Sequence, residues 1–122
     1  MKQGTTKSME DFLEALLMLE EKNEPLETTR VAKLLGISKP AVHQMGHELI
    51  DRGYITRVDY GPMTLTKQGR DVAQAMLHRH KTLKKFLMNL GVSEEVADHD
   101  GCEIEHAISA ETFAAIEQAV KN

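Results

Sequence analysis

Apolar side chains recur at helical spacing through the N-terminal part of the chain. They predict a first helix that begins after Ser8, whose hydroxyl can cap it, and ends near Pro25. A short second helix is predicted from Thr28, a candidate N-cap, to Gly36, which can end it in a left-handed conformation. A third begins at Ser38, with a proline in its first turn. The positions expected to face the core are Phe12, Leu13, Leu16, Leu17, Leu19, Val31, Ala32, Leu34, Leu35, Val42, Met45, Leu49 and Ile50.

The spacing of apolar residues changes after Gly53. Residues 54–58 and 63–66 read as two short strands around a Gly-Pro turn, which predicts a small hairpin. Helical spacing returns over residues 67–90, and a last helical region, with a break near its middle, runs over residues 93–120. The fold class predicted from these patterns is mainly α.

Two helices, a turn and a hairpin follow one another in the order of a winged helix-turn-helix. In such units the second helix enters the major groove of DNA with its N-terminal residues at base edges. Lys39 can donate to phosphate or base, Gln44 can pair with adenine, and Ala41 can touch a thymine methyl group. The alternative is that these helices only form a helical hairpin of the core. The candidate DNA-binding residues are Thr28, Arg30, Ser38, Lys39, Pro40, Ala41, His43, Gln44 and Arg57.

Charge is distributed unevenly along the chain, although the net charge is only −4. Residues 28–89 carry eleven basic and four acidic side chains, a local excess of +7. The flanks are acidic. Residues 1–27 carry three basic and seven acidic side chains, and residues 90–122 carry one basic and eight acidic side chains. The basic middle can therefore meet a phosphate backbone, and the acidic flanks can meet cations.

Length and composition narrow the class of protein further. A chain of 122 residues, 41% hydrophobic and 28% charged, predicts one globular domain or two small ones sharing a core. The longest apolar run, residues 15–19, is too short to cross a bilayer, and residues 1–6 lack an apolar leader core. We therefore expect a cytoplasmic protein with no membrane partner. The single cysteine excludes an internal disulfide framework.

Cys102, Glu105 and His106 have the i, i+3, i+4 spacing of one helical face. A thiolate, a carboxylate and an imidazole are all ligands of divalent transition metals. Taken singly, Cys102 could instead be a small buried hydrophobe, Asp11 could only cap a helix, Glu14 could face solvent, and His80 could lie at the surface or in the core. A carboxylate pair on the first predicted helix and a histidine on the long one complete the candidate metal ligands, which are Asp11, Glu14, His80, Cys102, Glu105 and His106.

Five motifs together resemble the metal-dependent repressors of the diphtheria toxin repressor and manganese transport regulator family, over residues 8–120. The resemblance implies an N-terminal winged helix-turn-helix at residues 1–66 and a C-terminal helical dimerisation domain at residues 67–122. It also implies a homodimer that binds a palindromic double-stranded DNA operator when loaded with Fe(II) or Mn(II), and no small organic substrate. The motifs are Ser8-Met9-Glu10-Asp11-Phe12-Leu13-Glu14, Ser38-x-Pro40-x-Val42-x-Gln44, Leu65-Thr66-x-x-Gly69, Arg79-His80-x-x-Leu83-x-x-Phe86-Leu87 and Glu105-His106-x-Ile108-Ser109.

The candidate ligands combine features of two branches of this family, one that responds to manganese and one that responds to iron. The candidate ligands match the manganese branch except at Cys102, where that branch has a glutamate and the iron branch a cysteine. In the iron branch, the position of Asp11 is held by a methionine, and an ancillary site has a glutamate and a histidine where this chain has Lys84 and Asp98. A thiolate shifts preference from Mn(II) towards Fe(II), Co(II), Ni(II) or Zn(II), so we expect Fe(II) slightly ahead of Mn(II).

Two other functions are compatible with the same residues. The chain could be a winged-helix DNA-binding protein that ignores metal, with the candidate ligands only structural. It could also be a small metalloenzyme built on carboxylates and histidines, although it lacks a Glu-x-x-His pair on each of two helices. We favour a regulator that is not an enzyme.

Overall fold

The computed structural model describes residues 4–59 and 61–121. Residues 1–3, part of the segment in which we expect no apolar leader core, lie outside the described residues. The chain forms two compact units, the first ending at Gln74 and the second beginning at Ala75. The prediction of a mainly α fold is confirmed. The elements are α1 (Lys7–Glu21), α2 (Thr28–Leu35), α3 (Lys39–Asp51), β1 (Ile55–Arg57), β2 (Met63–Leu65), α4 (Lys67–Asn89), α5 (Glu94–Ile104) and α6 (Ala110–Lys121).

Helix α1 lies at the centre of the first unit. Every residue from Phe12 to Leu17 is buried, and a helix that is buried on all sides belongs to the interior rather than the surface. Most of the predicted core is confirmed, because the largest fully buried side chains of this unit are Phe12, Met9, Leu13, Leu16, Leu49, Ile55, Val31 and Val42.

Two predicted N-caps are wrong. Helix α1 is capped by Thr6, which accepts the backbone N–H of Met9 at 3.2 Å, and Ser8 lies inside its first turn. Helix α2 follows Glu27, which makes no side-chain capping bond, and Thr28 is its first residue. At α1 the error arises because Thr6 and Ser8 can both cap, and a shift of two residues decides which hydroxyl reaches an unpaired N–H. At α2 the helix begins at Thr28 itself, so the hydroxyl lies inside the helix and no side chain caps it.

The remaining helix signals near the turn are confirmed. Gly36 ends α2 with a φ of 69°, in the left-handed region that favours glycine. Ser38 caps α3 by accepting the N–H of Ala41 at 3.2 Å. Two core predictions are wrong, because Leu34 is 44% exposed and Ile50 is 36% exposed. The buried face of α2 is made by Val31 and Ala32, and that of α3 is completed by Gly46 and Leu49.

Strands β1 and β2 form the predicted antiparallel hairpin, with Ile55 opposite Leu65. Both of these side chains are buried, as is Met63, whereas Val58 near the hairpin tip is 80% exposed. The N–H of Met63 donates to the carbonyl oxygen of Leu26 at 2.9 Å, which ties the hairpin to the segment before α2. The hairpin therefore occupies the position of a wing beside α2 and α3.

In the second unit, Ser93 caps α5 by accepting the N–H of Val96 at 3.4 Å. Residues 102–106 were expected to form one helical face, but α5 ends at Ile104, so Glu105 is its C-cap and His106 lies in the following turn. Close packing of α5 on α4 is possible because Ala97 and Gly101 are small and buried.

Among the described residues, every helix is too short or too polar to span a lipid bilayer.

Candidate metal centre and nucleic-acid interface

Three predicted metal ligands of the second unit meet in one cluster. His80 projects from α4, Cys102 from the last turn of α5 and Glu105 from the C-cap of α5. One ligand atom of each residue lies within 4.8 Å of the others. Glu105 is fully buried, while the side chain of His80 is 16% exposed and Cys102 is half-buried. The cluster thus combines nitrogen, sulfur and oxygen donors at a partly sheltered place.

The carboxylate of Glu105 is only half satisfied. Its Oε1 lies 2.9 Å from Nδ1 of His80, but its Oε2 accepts no hydrogen bond from the residues that the structure describes. Nε2 of His106 is 3.5 Å from that Oε2, and the His106 side chain is only 6% exposed. A buried carboxylate oxygen without a partner is costly. A divalent cation bound at this cluster would supply the missing partner, so the residues present fit a metal.

The His80 imidazole is surrounded by acceptors. Its hydrogen bond with Cys102, followed by that with Glu105, raises the pKa of His80 from 6.5 to about 11, with a further contribution from Asp98 and an opposing one from burial. Nε2 of His80 lies 2.9 Å from Oδ1 of Asp98. The local field therefore favours positive charge where these side chains converge.

Arg79 anchors the turn that carries Glu105. Its Nη1 donates to the carbonyl oxygens of Glu105 at 3.0 Å and Ile108 at 3.1 Å. The same guanidinium lies 5.2 Å from the ring centre of Phe113 on α6, a distance suited to a cation–π contact. Arg79 thus holds the segment between α5 and α6 against α4.

The two predicted ligands of the first unit both lie on α1. Asp11 is half-buried and forms an ion pair with Lys7 at 3.0 Å, one turn before it. Glu14 is 6% exposed, which is unusual for a glutamate and contradicts the simple alternative of a solvated side chain. Their role as metal ligands stays a prediction.

The predicted DNA-reading residues lie on the outer face of α3 and its N-terminal turn. Ser38, Lys39, Pro40, His43 and Gln44 are exposed, and Ala41 is half-buried. The inner face, with Val42 and Leu49 fully buried, packs in the core. The first turn of α3 is therefore accessible along its polar side, as reading DNA requires.

The other predicted DNA contacts lie beside the hairpin. Arg57 donates to the carbonyl oxygen of Gly61 at 2.7 Å and to the hydroxyl of Thr28 at 3.1 Å. Arg30 is exposed and pairs with Glu24 at 2.9 Å. Arg57 and Thr28 thus join the wing to the start of α2, and contact with phosphate stays a prediction for all three candidates.

Residues 4–62 match the N-terminal DNA binding domain of the iron dependent repressors, and residues 66–122 match their metal binding and dimerisation domain. An uncharacterised HTH-type transcriptional regulator from Methanocaldococcus jannaschii is 42% identical over 108 residues, covering 87% of this chain and 86% of the relative. The chain belongs to the iron-dependent repressor family. The HTH-type transcriptional regulator MntR of Geobacillus thermodenitrificans is 33% identical over 104 residues, covering 85% of this chain and 74% of MntR.

Solved structures agree with this membership. A manganese-dependent transcriptional repressor in complex with manganese has a TM-score of 0.85 and 29% identity, with 93% of this chain and 52% of the repressor covered. IdeR of T. acidophilum, at 20% identity and a TM-score of 0.82, shares the fold, with 100% of this chain and 56% of IdeR covered. The chain thus spans about half the length of these solved structures.

Membership of the iron-dependent repressor family decides between the functions left open by the sequence. The family consists of metal-dependent DNA-binding transcriptional regulators, so the metalloenzyme alternative is wrong. The cluster of His80, Cys102 and Glu105 lies within the stretch that matches the family's metal binding domain, and α3 and β1 lie within the stretch that matches its DNA binding domain.

Sequence reasoning missed three functional candidates. His47 is exposed one turn after His43 on α3, and the i, i+4 spacing would have identified it. Arg79 belongs to a motif of the family, but nothing local in the sequence indicates its hydrogen bonds to the carbonyl oxygens of Glu105 and Ile108, which lie far along the chain. Asp98 contacts His80 across two helices, a pairing that no spacing along the chain reveals.

Proposed function

We propose that this chain is a transcriptional repressor that binds a palindromic operator as a homodimer when it holds Fe(II) or Mn(II). The observation that carries the proposal is the half-buried cluster of His80, Cys102 and Glu105, in which Oε2 of the buried Glu105 lacks a hydrogen-bond partner among the described residues. A palindromic operator follows because a two-fold dimer presents two equivalent recognition helices to DNA. We also propose a cytoplasmic location, where the DNA of such a regulator is.

We propose that His106, Asp11 and Glu14 complete the ligand set. The burial of Glu14 and the short distance between His106 and Glu105 support this assignment, as does the resemblance to the manganese branch. In such a regulator DNA binding and metal loading are coupled, and we propose a coupling free energy of about 1–3 kcal/mol, with the DNA-binding domain at residues 1–66 and the metal-binding domain at residues 67–122. When bound, the cation supplies positive charge among these carboxylates.

The donor set favours Fe(II) over Mn(II). Carboxylates and imidazoles suit both ions, whereas the sulfur of Cys102 is a softer donor than Mn(II) prefers. Co(II), Ni(II) and Zn(II) can also occupy a site that contains a thiolate. We therefore propose Fe(II) as the activating ion, with the other ions as substitutes in solution.

The test is metal-dependent selection of DNA. The full chain is incubated anaerobically with a random-sequence duplex pool in Fe(II), in Mn(II) or in chelator, and the retained sequences are read. We expect enriched palindromes in metal and none in chelator. Equal enrichment in chelator would identify a metal-independent DNA-binding protein, and no enrichment in any condition would reject the proposal.

A matched pair of variants ties the result to the cluster. Glu105→Gln removes the charge of the buried carboxylate while keeping its shape, and it should abolish enrichment in metal. Glu103→Gln changes an exposed glutamate two residues earlier and should enrich the same palindromes as the unmodified chain. If Glu105→Gln retained full metal-dependent enrichment, the site would lie elsewhere.

A further inference from the structure

The imidazole of His80 is held on both sides. Its Nδ1 lies 2.9 Å from Oε1 of Glu105, which is fully buried, and its Nε2 lies 2.9 Å from Oδ1 of Asp98, whose side chain is 56% exposed. The two ring nitrogens therefore face different surroundings. One faces the interior of the ligand cluster, and the other faces its outer edge.

A histidine that binds one metal ion uses one ring nitrogen and keeps a proton on the other. That second N–H is almost always donated to a carboxylate, a carbonyl or a water, which fixes the tautomer and the orientation of the ring. At His80 the acceptor for Nε2 is already present as Asp98. Nδ1 is then the nitrogen that faces the buried ligand-type oxygen of Glu105.

Asp98 is itself held by a neighbouring cation. Nζ of Lys84 lies 3.6 Å from Oδ1 of Asp98 and 3.2 Å from Oε2 of Glu94. Lys84 follows His80 by one turn on α4, and Glu94 precedes Asp98 by one turn on α5, so two facing helix turns form a continuous polar ladder.

We propose that Asp98, held by Lys84, is a positioning residue that directs Nδ1 of His80 to the metal by accepting its Nε2–H. The inference rests on the proposed function, because it concerns the way in which that metal is held. Asp98 lies outside the proposed ligand set and acts through His80.

The position of Lys84 argues against Asp98 as a ligand of a second metal ion. Its ammonium lies 3.6 Å from the same carboxylate oxygen that His80 contacts, so a cation is already present where a second divalent ion would have to bind. Two like charges this close repel strongly unless a further anion separates them. The ladder therefore supplies a fixed positive charge of its own beside His80.

The test uses Zn(II), which is diamagnetic, with the full chain labelled with 15N in its histidine rings. Long-range 1H–15N correlation spectra distinguish a zinc-bound Nδ1 from a zinc-bound Nε2, and the loss of signals in His80→Gln assigns the ring. We expect zinc at Nδ1 and a proton at Nε2. Zinc bound at Nε2 of His80 would overturn the inference without any further variant.

Affinity measurements separate positioning from general stability. Competition with a chelator should show zinc binding about 10–100-fold weaker in Asp98→Ala than in the unmodified chain. Asp98→Asn should recover part of the loss, because its amide oxygen can still accept the Nε2–H. The control is Asp100→Ala, which removes an exposed acid of α5 that lies beside His99 and should leave affinity unchanged.

The outcomes distinguish this inference from the function on which it rests. Zinc bound at the cluster with equal affinity in Asp98→Ala and the unmodified chain would overturn the inference alone. No zinc bound by the unmodified chain would overturn the proposed function, and the inference with it. A ratio of two zinc ions per chain, with Asp98→Ala losing one, would make Asp98 a ligand and would also contradict the inference.

Discussion

The carbonyl oxygen of Tyr54 lies 1.9 Å from the position that a Cβ atom on Gly69 would take. Gly69 is buried in the first turn of α4, and Tyr54 immediately precedes β1, so the helix and the start of the hairpin approach each other backbone to backbone. Thr66 reinforces the approach, because its hydroxyl contacts the Tyr54 carbonyl and accepts the N–H of Gly69. The wing is thereby fixed to the start of α4 by a contact that only glycine permits.

Gly69→Ala should therefore destabilise the first unit. A methyl group forced against a backbone carbonyl costs about 1–3 kcal/mol, because the backbone can relax only a little. The control is Gly46→Ala in α3, where a Cβ would meet nothing within 4 Å and should stabilise the helix by about 0.5–1 kcal/mol. Urea denaturation followed by circular dichroism measures both, and equal midpoints for the two variants would contradict the close approach.

The ion pair between Glu20 and Arg70 should make stability depend on acid. Nη2 of Arg70 donates to Oε2 of Glu20 at 2.9 Å, and this contact lowers the pKa of Glu20 below 4.5. A lowered pKa contributes stability above pH 4.5 that is lost as the pH falls below that value. Both side chains are more than a third exposed, so screening by water keeps the contribution of this ion pair to stability small.

Glu20→Gln should thus be less stable than the unmodified chain at neutral pH and nearly equal to it in acid. The matched control is Glu21→Gln, which changes the next, exposed acid of α1. Urea midpoints at neutral pH and at about pH 3 test the sign, because the folded carboxylate loses its charge below its lowered pKa. A deficit in Glu20→Gln that grows as the pH falls would contradict the assignment.

Replacing Arg79 should loosen the turn that bears Glu105 and His106. Arg79→Met removes two hydrogen bonds from a charged donor and should cost about 1.5–3 kcal/mol. Arg79→Lys should recover only part, because a lysine ammonium can donate to the carbonyl oxygens but lacks the planar guanidinium that lies over the Phe113 ring. The control Lys85→Met changes an exposed cation of the same helix, and identical urea midpoints for Arg79→Met and Lys85→Met would reject the anchor.

Gln44 and Lys39 should affect DNA binding differently. Gln44→Ala should lower the ratio of specific to non-specific binding by about 1–3 kcal/mol, because a base contact carries sequence information. Lys39→Ala should weaken binding to all duplexes alike and reduce the slope of log affinity against log salt by about one, as expected for a phosphate contact. Competition between selected and random duplexes measures both, and an unchanged ratio in Gln44→Ala would show that recognition lies elsewhere.

Local chemistry explains which parts of the fold the sequence predicted. The turn before α3 was predictable, because Gly36 and Ser38 act on backbone groups within a few residues of themselves. The start of α1 was not, because Thr6 and Ser8 can both cap and the sequence does not choose between them. The exposure of Ile50 was not predicted either. Adjacent residues of a helix lie about 100° apart around its axis, so Leu49 can face the core while Ile50 faces solvent.

The sequence predicted which residues could bind a metal, but it did not predict which residues contact and orient them. Cys102 and Glu105 are three residues apart, so their proximity follows from helical geometry even though the helix ends between them. His80 and Asp98 are eighteen residues apart, and their contact depends on how α4 packs against α5. Gly101 of α5 lies against the α4 backbone at His80 and Lys84, and the spacing of residues along the chain does not reveal this register.

The near-ultraviolet spectrum of the chain titrated with Co(II) shows whether Cys102 and its neighbours hold the regulatory metal. A thiolate bound to Co(II) gives a sulfur-to-metal charge-transfer band, and a carboxylate or imidazole alone does not. We expect this band to grow to saturation in the unmodified chain and to be lost in Cys102→Ala, while Cys102→Glu should shift activation towards Mn(II). Absence of the band in the unmodified chain would contradict the assignment of Cys102 and leave Asp11, Glu14, His80, Glu105 and His106 as ligands of Mn(II).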